Sequence, residues 1–231
     1  MRIPPRFNGP QSSAHGGYTC GLVAGLLGDE PARVSLRSPP PLDTELEVVR
    51  SDDACEIREG ERLVAQGERA DLDLEPTEAV DPARAADASR RGFERWAGQH
   101  PFPTCFACGP GREADDGLGL FPGALGDGRF AAYWTPDAEF ADRDGRVEPL
   151  FVWAALDCPT SAPVADLGRE VAVLAELHAR IDAPVMAGEP HAIVSWPLDV
   201  EGRKRHAACA IYGANGVPLA LSRALWIELR Q

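Results

Sequence analysis

One arrangement occurs twice in this sequence and leaves few folds open: an apolar helix followed by several short strands. In the first half the helix is read in SSAHGGYTCGLVAGLLG, Ser12 to Gly28. It is followed by ARVSLRS, TELEVVRS and the hairpin ACEIREGERLVAQGERADLDL, with a turn near Gly60. Val34 and Leu36, then Leu46 and Val48, alternate with polar neighbours, as half-buried strands require. In the second half VEPLFVWAALDCPTSAPV is an apolar helix expected to stop near Pro159. VAVLAELHARI, HAIVSW and the hairpin HAACAIYGANGVPLALSRALWIEL come next, the last turning at Asn215-Gly216, a strong short-range hairpin signal. Proline corners fall at Pro39-Pro40-Pro41 and at Pro184, and superposing the two hairpins pairs Cys55 with Cys209. The pattern reads as a duplicated unit, although two β-hairpins can also look alike by chance.

The stretch between the halves is rich in Ala, Arg, Asp and Pro. Within it, DPARAADASRRGFERWAGQ has helical composition, with Phe93 and Trp96 spaced to face one side. This predicts an N-terminal unit over 1–76, a linker with a surface helix over 77–117, and a C-terminal unit over 118–231 that opens with GLGLFPGAL and RFAAYWTP.

Composition narrows the function classes. A chain of 231 residues with 44% hydrophobic and 26% charged residues can bury a sizeable core. The formal net charge of −13 argues against a nucleic-acid binder, which needs a basic face. No apolar run approaches the ~18 residues that would span a bilayer, and MRIPPRFNGPQSS has no apolar segment of a secretory signal. A cytoplasmic protein with no membrane or nucleic-acid partner is expected. Its six cysteines (Cys20, Cys55, Cys105, Cys108, Cys158 and Cys209) are expected to be reduced thiols rather than a disulfide framework.

Glycine costs roughly 1 kcal/mol inside a helix relative to alanine, so His15-Gly16-Gly17 at a helix start, with Gly21 and Gly25 beyond it, calls for a reason. AHGGYTCGLVAGLL resembles the His-Gly-Gly helix start of hotdog-fold acyl-CoA thioesterases, and the two helix-then-strands units resemble the tandem, double-hotdog members. The resemblance covers most of the chain outside the linker. It implies an α+β fold of two tandem hotdog units, each a curved antiparallel sheet wrapped around a central helix, the two sheets continuous and both helices on one face. It implies that Gly17, Gly21 and Gly25 let backbones approach where the sheet wraps the helix. The free N–H groups at Gly16 and Gly17 would stabilise a developing oxyanion. The same glycines also suit plain packing, with His15 a satisfied polar residue.

Thioesterases of this kind also need a carboxylate on the central helix, as nucleophile or as general base on water. The first helix has none: the relevant stretch is Leu22-Val23-Ala24-Gly25-Leu26. The second has Asp157, followed by Thr160 and Ser161, but begins with Glu148-Pro149-Leu150 instead of His-Gly-Gly. The resemblance therefore implies one composite site, with His15, Gly16 and Gly17 facing Asp157 and Ser161. Gln11 or Asn8 would hold water or the thioester oxygen. Asp157 could equally be a helix-end acid bonded to the turn at Thr160 and Ser161.

Other features carry less. Cys105-Phe106-Ala107-Cys108 has zinc-knuckle spacing with His100 nearby, but further ligands would have to come from His206 or Cys209, far along the chain, so no metal is expected. Arg203 and Arg205 could meet coenzyme A phosphates, or simply solvate a hairpin turn; Arg90, Arg91 and Arg95 are rivals. Trp153, with Trp134 and Tyr133, could line an acyl pocket or pack a core. No phosphate loop, His-Glu-x-x-His helix or Gly-x-Ser-x-Gly elbow occurs, and neither half has the paired Asp and His of hotdog hydratases. The expectation is a cofactor-free thioester hydrolase acting on an acyl-CoA-type substrate, paired with a second copy as a homodimer. The alternative is a non-catalytic acyl-CoA-binding or regulatory hotdog protein.

Overall fold

The computed structural model describes residues 1–28, 30–113, 116–167 and 171–229. Helix α1 (Gly16–Gly25) leads into β1 (Ala32–Leu36), β2 (Glu47–Arg50), β3 (Ala54–Glu59) and β4 (Arg62–Arg69). After α2 (Pro82–Trp96) come β5 (Gly123–Ala124), β6 (Phe130–Trp134), α3 (Pro149–Asp157) and α4 (Ser161–Leu167). The chain then runs through β7 (Ala172–Ile181), β8 (His191–Glu201), β9 (Lys204–Tyr212) and β10 (Pro218–Glu228). The order helix, then four strands, is thus present twice.

Among the described residues the strands form one antiparallel sheet of ten, in the order β2-β3-β4-β1-β7-β10-β9-β8-β6-β5. The halves meet at the β1–β7 pair, where Val34 faces Leu177. Helices α1 and α3 share one face of the sheet. Alternation assigns Ile193 and Ile211 to the core beneath these helices, and Val194 and Ala210 to a second core on the other face. That second core is covered by α2, through Ala85 and Ala88. So the predicted surface helix exists, but it closes the back of the second half rather than lying free. GLGLFPGAL, expected as a strand, pairs only over Gly123–Ala124, since Gly117 and Gly119 take positive φ.

Gly17 and Gly21 of α1 answer to a helix rather than to the sheet. A Cβ on Gly17 would lie 2.4 Å from the Asp157 Cβ and 2.8 Å from the Trp153 carbonyl oxygen. One on Gly21 would lie 2.7 Å from the Leu150 Cα. The two helices therefore cross antiparallel at backbone contact, with the N-terminus of α1 beside the C-terminus of α3. Gly25 takes no part, for a Cβ there would meet nothing within 4 Å. The apolar helix of the second half stops near Pro159, as expected, and a further helix follows it. Pro159 lacks the N–H that an α-helix needs there, so α3 stops at Asp157 and a 3-10 turn spans Cys158–Thr160. The Thr160 hydroxyl donates to the Asp157 carbonyl at 2.6 Å, and helix resumes as α4. No helix among the described residues is long and apolar enough to cross a membrane.

Candidate active site

The start of α1 is built by its cap. His15 is extended at φ −62°, ψ 130°, and its ring Nδ1 accepts the Tyr18 N–H at 3.1 Å, replacing one partner that a helix terminus lacks. A backbone N–H can only donate, so Nδ1 is an acceptor and the proton of the neutral ring sits on Nε2. That Nε2–H points at the Cys158 Sγ, 3.1 Å away, and is 3.5 Å from the Asp157 Oδ2.

Asp157, the last residue of α3, is an apolar helix's only acid and is 2% exposed. At its own helix end the dipole opposes a negative charge. The antiparallel crossing supplies the remedy, because the Gly17 N–H of α1 donates to the Asp157 Oδ2 at 2.6 Å. The carboxylate is therefore not a local turn cap; the Thr160 and Ser161 hydroxyls bond backbone carbonyls, those of Asp157 and Cys158. Burial pushes the Asp157 carboxyl up to about 6, a rise limited by His15 and by the Gly17 N–H. The second oxygen, Oδ1, is buried and has no hydrogen-bond partner among the described residues. An unpartnered carboxylate oxygen is costly in a core, and it is the kind of departure expected of a working group.

A cavity of about 640 Å³ opens at this point, bounded by His15, Gly16, Asp157, Cys158 and Ser161. Its farther walls are apolar, with Leu36, Phe102, Leu120, Val164, Leu174 and Trp226. Gly17 N–H is engaged by Asp157 and Tyr18 N–H by His15, so the Gly16 N–H, without a partner among the described residues, is the donor that α1 offers to the cavity. A Cβ on Gly16 would stand 2.9 Å from the Leu174 side chain and 3.2 Å from the Asp157 Oδ2, crowding both.

Five of the residues singled out in the sequence thus come together: His15, Gly16, Gly17, Asp157 and Ser161. The residues expected to bind substrate, Asn8, Gln11, Trp153, Arg203 and Arg205, do not line this cavity. Asn8 is committed to structure, giving its amide to Gly9 and Thr104 and accepting from Arg112. Gln11 is exposed in the loop before α1. Trp153 is buried in the contact between α1 and α3. Arg203 and Arg205 bond Glu228 on the neighbouring strand. Sequence reasoning missed a thiol cluster. Cys158 lies 3.2 Å from the Cys108 Sγ and 3.7 Å from the Cys105 Sγ, and all three border the cavity. The signal was present, since Cys158 follows Asp157 directly.

Solved structures align over the whole chain. One is a tesB protein of Mycobacterium avium subsp. paratuberculosis, with 12% identity, 91% of its own chain covered and a TM-score of 0.61. A second, described as a thioesterase II from Thermobifida fusca, has 15% identity, 91% coverage and a TM-score of 0.58. A third, described as a thioesterase from Novosphingobium aromaticivorans, has 12% identity, 94% coverage and a TM-score of 0.62. The chain shares the fold of these structures, the hotdog fold. A further match, to the thioesterase superfamily protein RHA08564, spans 47% of this chain and 55% of that one, at 23% identity and a TM-score of 0.43. No protein-family model matches the sequence, and no curated protein does. Identities this low establish the hotdog fold and leave the chemistry to the site.

Proposed function

We propose that this protein is a thioester hydrolase acting on acyl-CoA-type substrates at one composite site between two tandem hotdog units. One observation carries the reading: an acid from the second half, with one oxygen unpartnered among the described residues, sits on the helix N-terminus of the first and borders an apolar-ended cavity. An acyl chain would lie along the apolar walls, with the thioester carbonyl toward Gly16. Asp157 would use Oδ1 to take a proton from water, or to attack the carbonyl carbon directly. The Gly16 N–H at the positive end of α1 would stabilise the oxyanion of the tetrahedral intermediate. Arg37, exposed at the cavity rim, is a cation positioned for the phosphates of coenzyme A.

Duplication explains why one site suffices. Ala24 stands nine residues after the His15 cap, as Asp157 stands nine after Glu148. Pro149, which follows Glu148 as Gly16 follows His15, has no N–H to offer. The mirror-image site therefore lacks both the acid and the donor.

Two wider parts of the reading have their own support. All six cysteines are free, which fits the cytoplasm. Pairing with a second copy would cover β2, an edge strand with Val48 and Val49 exposed; a dimeric mass in solution is expected. The test of function is hydrolysis of a panel of acyl-CoAs by the native chain and by Asp157→Asn. Turnover of some member, lost in the variant, is expected. If both proteins bind acyl-CoA equally and neither turns it over, the protein is a binding module instead.

A further inference from the structure

The cavity wall holds a second group of chemistry-bearing side chains that hydrolysis does not require. Cys105 and Cys108 come from the loop after α2, Cys158 from the end of α3, and His15 from the cap of α1. Atoms of His15, Cys105 and Cys158 all lie within 4.8 Å of one another, and Cys108 adds a third thiol 3.2 Å from Cys158. All four residues are buried.

The loop is held as a rigid ligand arm. The Gly109 N–H closes a turn onto the Cys105 carbonyl at 2.9 Å, and a Cβ on Gly109 would stand 2.5 Å from the Cys105 nitrogen. Phe106 N–H donates to the Asn8 carbonyl at 2.7 Å, and the Phe106 and Ala107 carbonyls accept from Leu118 and Leu120. Thus Cys105 and Cys108 are presented together on a fixed Cys-x-x-Cys turn, against Cys158 from another element.

Three thiolates on one zinc ion, with bonds of about 2.3 Å in tetrahedral geometry, stand roughly 3.8 Å apart. Cys158 stands 3.7 Å from Cys105 and 3.2 Å from Cys108, so the first separation fits and the second opens by about half an ångström. His15 completes the set in a specific way. A metal-ligating neutral imidazole carries its proton on the other nitrogen and donates it to an acceptor. In His15 that other nitrogen, Nδ1, accepts the Tyr18 N–H instead. Its Nε2–H is therefore a donor to the Cys158 sulfur, not a ligand.

We propose that Cys105, Cys108 and Cys158 bind one zinc-type divalent cation as three thiolates. His15 hydrogen-bonds the Cys158 sulfur, and the fourth coordination position is open to the cavity. Binding releases the thiol protons to solvent, and the class of outside ligand suited to the open position is a thiol. The grounds for expecting no metal were that further ligands would have to come from His206 or Cys209. The fold brings Cys158 as the further ligand instead. The proposal does not depend on hydrolysis, and its readout needs no substrate.

The test uses the full chain, reduced, stripped with chelator and dialysed against zinc or cobalt. About one metal per chain is expected, with thiolate-to-cobalt charge-transfer absorption in the near ultraviolet that shifts when 2-mercaptoethanol is added. Cys105→Ser, Cys108→Ser and Cys158→Ser should each abolish stoichiometric binding. Cys55→Ser should keep it: Cys55 lies away from this cluster, and its thiol donates to the Val23 carbonyl, a bond that a serine hydroxyl can also make. His15→Asn preserves a good helix cap and should still bind one metal, with affinity weakened about 10- to 100-fold. A metal-free wild-type chain, or a cysteine titration showing a Cys108–Cys158 disulfide in its place, overturns the proposal. So does complete loss of metal in a folded His15→Asn, which would make His15 the fourth ligand. If the serine variants do not fold, the stoichiometry and cobalt spectrum of the wild type decide alone.

Discussion

The two halves of this protein lay down the same local structure and then diverge in chemistry. Before α1, the His15 N–H donates to the Phe7 carbonyl at 2.8 Å and Asn8 bridges to Ala14; before α3, the Glu148 N–H donates to Phe140 at 2.9 Å and Ala141 bridges to Val147. Both helices lie on one face of the sheet, and each receives a side-chain hydrogen bond from a strand, Cys55 to Val23 and Ser222 to Leu156. Yet His15 caps its helix with a side chain and Glu148 does not. The first helix opens with glycines and has no acid; the second opens with proline and ends with one. The shared part is what a packed sheet and helix need. The differing part lies where the N-terminus of α1 meets the C-terminus of α3.

The sharpest way to break this comparison is at Asp157. Asp157→Asn keeps an oxygen for the Gly17 N–H but cannot take a proton, so hydrolysis should fall by about 10²-fold or more with the thermal midpoint little changed. Full activity in that variant would end the asymmetric reading. Next is Gly21, where any Cβ meets Leu150 backbone. Gly21→Ala should destabilise by about 1–3 kcal/mol in chemical denaturation, the usual cost of overpacking. Gly25, four residues on and facing open space, sharpens that contrast in the opposite direction. Gly25→Ala should stabilise by up to about 1 kcal/mol, since only the helix propensity changes. The smallest effect belongs to Glu148→Gln, which should leave turnover within about twofold and stability within about 0.5 kcal/mol, because the side chain makes no cap bond. A large loss there would mean that the second helix start also takes part in the reaction.

Much of the architecture is legible in the sequence. The alternation of Val34 and Leu36, the Asn215-Gly216 turn and the two apolar helices are local signals, set by side-chain periodicity and backbone preference, and the elements lie where those signals fall. The site is half legible. Asp157 stands out because an acid in an apolar helix is expensive, and His15-Gly16-Gly17 because glycines weaken a helix start. The residues read as ligand-binding from sequence position alone behave differently. Asn8 and Trp153 are held by packing and hydrogen bonds, and Arg203 and Arg205 by a neighbouring strand. A type of side chain near a motif says nothing about which neighbour will claim it.

By itself, then, the sequence determined the kinds of element, their order and their twofold repetition, because these depend on contacts a few residues apart. Tertiary structure alone decided that Gly17 and Gly21 of α1 face a helix and not the sheet. It alone placed the acid of one half on the amide of the other, and drew Cys158 to Cys105 and Cys108 across 50 residues or more. Each of these is a meeting of segments far apart in the chain. Whether they meet depends on how two antiparallel helices pack at backbone distance on a shared sheet, a geometry to which no local stretch of sequence commits.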